Sequence, residues 1–181
     1  MPTFRGKPAC DCLVQWLPAY EAELLARGVI RVSLDIYQLI GGAAASGGTH
    51  ATGGAFDIAQ TQDEAIWIAR QMGADATWRR PKGWDGKDGI AHTHGVLRGC
   101  EHNGPARYQI VAVDANFNGL GKGGMGGLDT GPRPLSHRTW QQGLEWQREQ
   151  AAKRARRTVI TATIARLRAR IVLLKAKRKA L

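Results

Sequence analysis

The sequence predicts an α+β domain over residues 1–135, followed by a long, basic, amphipathic C-terminal helix over residues 136–181. Near the start, apolar residues recur with the period of a helix, and short alternating segments typical of strands follow. After residue 136 the composition changes to Trp, Gln, Glu, Arg and Ala without proline. A chain of 181 residues is long enough for one domain with its own core and an appendage.

The first predicted elements are a helix and a strand. A helix is predicted over residues 12–27, because its apolar residues fall on one face, and Gly28 stands where a C-cap is expected. Residues 29–40 alternate and are rich in β-branched side chains, which predicts a strand ending near Gln38. Gln38 either projects into a cleft as a substrate contact or only ends the strand. The helix stripe consists of Leu13, Trp16, Leu17, Tyr20 and Leu24.

The middle of the domain alternates loops, strands and one further helix. A helix is predicted over residues 61–73, with Thr61 as N-cap and Glu64 completing a capping box. A glycine-rich loop over residues 116–131 is expected to border a cleft or to move. The remaining predictions are a glycine-rich loop over residues 41–54 and strands over residues 55–59, 76–79, 90–97 and 107–113.

Two short segments carry side chains that bind metals. His50 and Asp57 flank a glycine-rich turn, and His92 and His94 lie two apart in a predicted strand, so they share one face. Two histidines and one aspartate, with a fourth position open to water, are the ligand set of a catalytic zinc site. Zinc lowers the pKa of such a water to about 7. A phosphate-binding loop is not favoured, because no Gly-Lys-Ser/Thr follows the glycines. The spacing therefore predicts a zinc hydrolase.

The same segments resemble a known family. The run H-x-x-G-x-A-x-D from His50 to Asp57, within SGGTH and GGAFD, and the later HTHGV resemble zinc peptidases of the D-alanyl-D-alanine peptidase and hedgehog-like fold. Over residues 29–129 the likeness is to peptidoglycan peptidases of bacteria and their phages. It implies a small antiparallel sheet with flanking helices, Zn²⁺ held by His50, Asp57 and His94, and proton transfer by His92.

The function implied is cleavage of stem-peptide or cross-link amide bonds in peptidoglycan, as in a phage endolysin that lyses the host cell. One position departs from the carboxypeptidase branch, which places a glutamate three residues before the last ligand. That position is Ala91 here. Either His92 acts as the general base, or a carboxylate such as Asp88 reaches the site.

Three residues are candidate substrate contacts: Gln38, Thr49 and Arg79. In the resembling peptidases a Trp-x-Arg-like stretch lies near the second histidine motif. Arg79 or its neighbour Arg80 is therefore expected to bind a substrate carboxylate, which a guanidinium grips with two hydrogen bonds. The alternative for either arginine is a solvated position in a loop.

The positive charge lies almost entirely in the tail. Residues 1–147 hold 14 Lys and Arg against 14 Asp and Glu, whereas residues 148–181 hold 12 basic residues against one acid, Glu149. Apolar residues of the tail follow an a/d heptad pattern, so one helix face is apolar and the others are cationic. These residues are Ile160, Ile164, Leu167, Ile171, Leu174 and Leu181.

Such a helix has three possible partners. It can lie on the anionic cell envelope, whether membrane or wall polymer, gaining hydrophobic burial and charge attraction together. It can self-associate or dock on a partner through the a/d seam. It can bind nucleic acid through phosphate contacts, but no aromatic residue follows Trp146 to stack on bases. The envelope is the favoured partner, and nucleic acid is the least supported.

The cysteines and the chain start bear on the compartment. Cys10, Cys12 and Cys100 are odd in number, and the C-x-C pair is tight for a metal site, so free thiols in a reducing compartment are expected. We do not expect the nearby His102 to join the metal ligands. The start carries no secretory signal pattern, which predicts synthesis in the cytoplasm and later release to the wall.

Two rival functions belong to other classes. The first is a non-catalytic wall- or virion-associated module that keeps the peptidase fold and binds zinc without turnover. The second is a nucleic-acid-binding protein that acts through its basic tail. The bond that an active peptidase would cut depends on pocket shape, which the motifs leave open.

Overall fold

The computed structural model describes residues 1–42, 47–83, 89–119, 127–128, 131–134 and 136–179. The chain divides into two compact units, Met1–Gln147 and Arg148–Leu181. The first unit combines small antiparallel sheets with helices, which confirms the predicted α+β class. Among the described residues, no helix combines the length and the apolar character needed to cross a membrane.

The helices and strands follow one another in an irregular order along the chain. They are β1 (Thr3–Phe4), β2 (Lys7–Pro8), α1 (Asp11–Arg27), β3 (Ile36–Gln38), β4 (Ala55–Ile58), α2 (Asp63–Gln71), β5 (Ala76–Arg80), β6 (His92–Val96), a 3₁₀ turn (Gly104–Ala106), α3 (Arg107–Asp114) and α4 (Trp140–Lys179). The predicted helix over residues 12–27 is confirmed, and Gly28 closes it in the left-handed conformation with φ 73°.

The main sheet has four antiparallel strands in the order β3-β4-β6-β5. Its register sets Asp57 of β4 and Trp78 of β5 on either side of His94 in β6. Because alternate residues of a strand point to opposite faces, these three side chains share one face of the sheet. That face is the one on which the candidate site lies.

The two faces of the sheet are covered by different helices. On one face, Phe56 and Ile58 join a large core with α1 and α2, in which Trp16 is fully buried. Gly95 is needed there, because a Cβ would lie 2.2 Å from the Phe56 ring. On the other face, Ala55, Trp78 and Val96 pack with apolar residues of α3. The candidate site is therefore enclosed between the sheet and α3.

Two strand predictions require correction. Residues 29–40 form a strand only at Ile36–Gln38. Residues 107–113 are the helix α3 and not a strand. Their buried positions, Gln109, Ile110, Ala112 and Val113, recur at helical spacing. A segment this short and rich in β-branched residues fits either periodicity, and packing on the sheet decides for the helix.

Two predicted helix starts also differ from the structure. Helix α2 begins at Asp63 with Gln62 as its N-cap, so the capping box at Thr61 does not form. Helix α4 begins at Trp140, after the predicted start at residue 136. Thr139 caps it instead: its Oγ1 accepts from the Gln142 backbone N–H at 3.4 Å, and the Gln142 side chain accepts from the Thr139 N–H at 3.0 Å. This reciprocal pair is a capping box.

The start of α4 belongs to the first compact unit. Trp140 and Gly143 are buried, and a Cβ at Gly143 would lie 1.9 Å from the Met72 carbonyl oxygen. Glycine is therefore required where α4 crosses the end of α2. The unit extends to Gln147, beyond the boundary at residue 135 that the change in composition predicts.

The second unit consists of the later turns of α4. The predicted helical state of the tail is confirmed for its described part. The side chains of the a/d stripe that the structure describes are exposed, from 44% at Ile164 to 58% at Ile160. Its partner stays a prediction.

Candidate metal centre

The sheet register brings the two strand-borne ligands together. Asp57 and His94 are directly opposite each other in the β4–β6 pair. Opposite residues of an antiparallel pair have Cβ atoms about 4.5–5.5 Å apart, so their functional groups can converge. His50 comes from the loop before β4, where its carbonyl accepts a hydrogen bond from the Gly41 N–H at 3.0 Å.

The three predicted ligands meet at one point. His94 Nδ1 lies 2.8 Å from Asp57 Oδ1, and His50 Nε2 lies 3.3 Å from Asp57 Oδ2. The two imidazole nitrogens are 3.3 Å apart. All three residues are buried, and their ligand atoms lie within 4.8 Å of one another. This group can hold a metal ion.

The outer nitrogen of each imidazole is fixed by a buried acceptor. His50 Nδ1 lies 2.8 Å from the Leu39 carbonyl oxygen, and His94 Nε2 lies 3.0 Å from Gln109 Oε1. A carbonyl oxygen only accepts, so each outer nitrogen carries the proton. The inner nitrogens face Asp57, where each can donate a proton to the carboxylate or, without that proton, offer a lone pair to a metal ion. Such partners orient the histidines of metal sites and raise their basicity.

The electrostatics of the cluster call for a cation. Burial raises the pKa of Asp57, but hydrogen bonds with His50 and His94 outweigh it and hold the pKa well below its usual range. Burial lowers the pKa of His94, with a partial offset from Asp57. The buried Asp57 carboxylate therefore draws positive charge to the inner nitrogens that face it. A metal ion would supply that charge, so the donor set fits one.

His92 lies beside the cluster, on the same face of β6 as His94. Its Nδ1 donates to the Ile90 carbonyl oxygen at 2.7 Å, which leaves Nε2 as the basic atom, 3.7 Å from Asp57 Oδ1. The ring of Tyr37 meets the His92 ring edge-on, with centroids 6.4 Å apart. His92 is thus placed to move a proton at the centre. Asp88, the alternative general base, lies outside the described residues.

The predicted substrate contacts differ in position. Gln38 is opposite Asp57 in the sheet, but its amide donates to the Gly41 carbonyl at 2.7 Å. Thr49 is buried next to the first ligand, with 2% of its surface exposed. The substrate roles of both residues stay predictions.

The two candidate arginines lie on opposite faces of the sheet, and the substrate role of Arg79 stays a prediction. Arg79 is opposite Thr93 and points to the face away from the histidines, where it pairs with Asp63 and donates to the Thr61 carbonyl at 2.7 Å. Arg80 is opposite His92 and so lies on the histidine face. Burial lowers the pKa of the Arg80 guanidinium, and the charge of Asp57 opposes that shift. Arg80 is therefore the arginine beside the candidate centre.

Two further residues of the site have no clear signal in the sequence. Gln109 reaches His94 from α3, which is predicted as a strand. The indole of Trp78 stacks on the His94 ring, with centroids 6.1 Å apart and planes at 7°. The Trp-x-Arg-like stretch indicates the region of Trp78, but only the register shows which side chain meets the histidine.

A separate group of acidic residues is an ion-pair network. Asp75, Asp114 and His137 come close together, but Arg98 lies among them. Its guanidinium is 2.9 Å from Asp75 Oδ2 and 2.5 Å from Asp114 Oδ1, and His137 also bonds Asp75. Arg98 already supplies the positive charge that a metal ion would bring. The ion pairs connect the start of β5 and the end of β6 with the end of α3.

No protein-family model, curated protein or solved structure matches this chain. Membership of the hedgehog-like zinc peptidase class therefore stays a prediction from the two motifs.

Proposed function

We propose that this chain is a zinc-dependent peptidase that hydrolyses amide bonds in the stem peptides or cross-links of peptidoglycan, as a phage endolysin does. The observation that supports this most is the convergence of His50, Asp57 and His94, each oriented toward one point. His92 stands beside them, with its Nδ1 on the Ile90 carbonyl oxygen and its Nε2 3.7 Å from Asp57 Oδ1.

The donor set favours zinc among the available metals. Two imidazole nitrogens and one carboxylate oxygen leave the fourth tetrahedral position open, as in catalytic zinc sites. When bound there, Zn²⁺ would polarise the scissile carbonyl and lower the pKa of the attacking water. Gln109 and the Leu39 carbonyl keep the histidine rings in the orientation that such an ion requires.

The remaining roles fall to side chains around the cluster. His92 Nε2 takes a proton from the attacking water and returns it to the leaving amine, as a general base and then a general acid. Arg80 faces the same side of the sheet and supplies positive charge for a substrate carboxylate or a developing oxyanion. Peptidoglycan stem peptides carry such carboxylates.

The test is digestion of purified peptidoglycan by the full chain, with and without a chelator. We expect new amino groups and muropeptides of reduced mass, loss of this activity with chelator, and its recovery on adding Zn²⁺. The masses of the products identify the bond that is cut. Stoichiometric zinc without any new amino groups would instead favour a non-catalytic wall- or virion-associated module.

We further propose that the tail, residues 148–181, attaches the enzyme to the anionic cell envelope. Its exposed apolar stripe and dense positive charge support this partner over the others.

Truncation after Gln147 should leave turnover of soluble muropeptides unchanged, because the first compact unit holds the whole candidate centre. The same truncation should abolish co-sedimentation with anionic vesicles or wall fragments. Undiminished co-sedimentation would refute the role of the tail, and co-sedimentation with nucleic acid alone would support the nucleic-acid alternative.

A further inference from the structure

A second cluster of metal-binding side chains lies at the start of α1. Cys10 is the N-cap of that helix and Cys12 lies in its first turn, while Cys100 and His102 follow β6. Their ligand atoms all lie within 4.8 Å of one another, and the three cysteines are buried. None of the four belongs to the candidate peptidase centre.

The distances within this cluster match a tetrahedral zinc site. Cys10 Sγ and Cys100 Sγ are 3.8 Å apart. His102 Nδ1 is 3.7 Å from Cys12 Sγ and 3.7 Å from Cys100 Sγ. With Zn–S bonds of about 2.3 Å and a Zn–N bond of about 2.0 Å, a regular tetrahedron has S···S edges of about 3.8 Å and S···N edges of about 3.5 Å.

A disulfide does not account for the arrangement. Bonded sulfurs are about 2.05 Å apart. A bond between Cys10 and Cys100 would also not explain why Cys12 and His102 lie close to both sulfurs. Three thiols and an imidazole converging on one point are instead the ligand set of a closed, structural zinc site. We propose that Cys10, Cys12, Cys100 and His102 bind a structural Zn²⁺ ion.

The surroundings of Cys10 favour a thiolate. The Gly54 backbone N–H donates to Cys10 Sγ at 3.3 Å, as expected around a negatively charged sulfur. Cys10 and Cys12 also lie at the N-terminus of α1, where the helix dipole stabilises negative charge. Glycine is required at position 54, because a Cβ would lie 1.9 Å from Asn103 Oδ1 and 3.1 Å from Cys100 Sγ.

The position of the proposed ion indicates which elements it would hold together. Gly53 and Gly54 lead directly into β4, which carries Asp57, and a Cβ at Gly53 would lie 2.9 Å from Cys10 Cβ. The cluster thus joins the start of α1, the entry to β4 and the exit from β6. A metal there holds both ligand-bearing strands by their ends, although it lies outside the peptidase centre.

Metal content and spectroscopy of the full chain test this inference independently of catalysis. We expect two zinc ions per chain by native mass spectrometry. The Cys100→Ser and His102→Ala variants should each bind one. The His50→Ala variant should also bind one ion, because it keeps the ion of the cysteine cluster and loses that of the peptidase centre. The His137→Gln variant, a matched control outside both clusters, should keep two. After substitution with Co²⁺, the His50→Ala protein should retain a thiolate-to-cobalt charge-transfer band, which Cys100→Ser should lose.

A measurement on the unaltered protein avoids any variant that fails to fold. Titration with a mercurial that captures thiols should release one zinc ion per chain as the three cysteines react. Reaction of all three thiols without zinc release, or a cobalt-loaded protein without a thiolate band, would overturn the proposal. Both readouts are independent of peptidase activity, so a failed peptidase assay leaves this inference intact.

Discussion

Asp57→Asn should abolish peptidoglycan hydrolysis and remove the metal ion held with His50 and His94. The substitution keeps the shape of the side chain but removes its negative charge from a buried site where the inner nitrogens of His50 and His94 face it. A neutral amide would leave the ion with imidazoles alone, and its affinity would fall accordingly. Metal content and release of new amino groups, measured on the same preparation, report both effects.

The matched control is Asp63→Asn, which changes a carboxylate whose side chain is 80% exposed. It should leave metal content and turnover unchanged. His50→Ala and His94→Ala should behave as Asp57→Asn does, because each removes one of the three ligands. Full lytic activity in any of these three variants would reject the assignment of the centre.

The second large effect is expected at His92. His92→Gln should retain the metal ion and lower turnover about 10²- to 10⁴-fold, the usual contribution of a positioned general acid–base group. The reason is that His92 Nε2 lies near Asp57 Oδ1 at 3.7 Å, whereas the ligand pairs are in closer contact. His92→Gln should therefore lower turnover, whereas its metal content and thermal stability should stay unchanged.

His137→Gln provides the comparison, since His137 belongs to the ion-pair network around Arg98 and not to the centre. Loss of metal from His92→Gln would mean that His92 is a ligand. Unchanged turnover would transfer the general-base role to another group, such as Asp88. Each outcome assigns a different function to the first histidine of the H-x-H motif.

Local sequence patterns determine many of the helices and strands in both units. The helix over α1, the strands β4, β5 and β6, and the helical state of the tail follow from periodicity and turn residues. The ligands His50, Asp57 and His94 could be selected because their spacing repeats a motif, and the structure brings them together. The concentration of positive charge after residue 147 is likewise a property of the sequence alone.

Other features depend on contacts between distant segments. Alternation along β5 places Arg79 and Arg80 on opposite faces, but only pairing with β6 shows that Arg80 shares the face of His92. Residues 107–113 are compatible with a strand or a helix, and the sheet surface selects the helix that brings Gln109 to His94.

The cysteines show this limit most clearly. C-x-C near the start and C-x-H after β6 are each uninformative, and free thiols are the natural expectation for an odd number of cysteines. Only the fold, which brings residues 90 apart in sequence within 3.8 Å, joins the two pairs into a group with four ligands. Spacing determines which side chains are available along a segment. Long-range packing decides which of them meet, because convergence at one point in space leaves no periodic trace in the sequence.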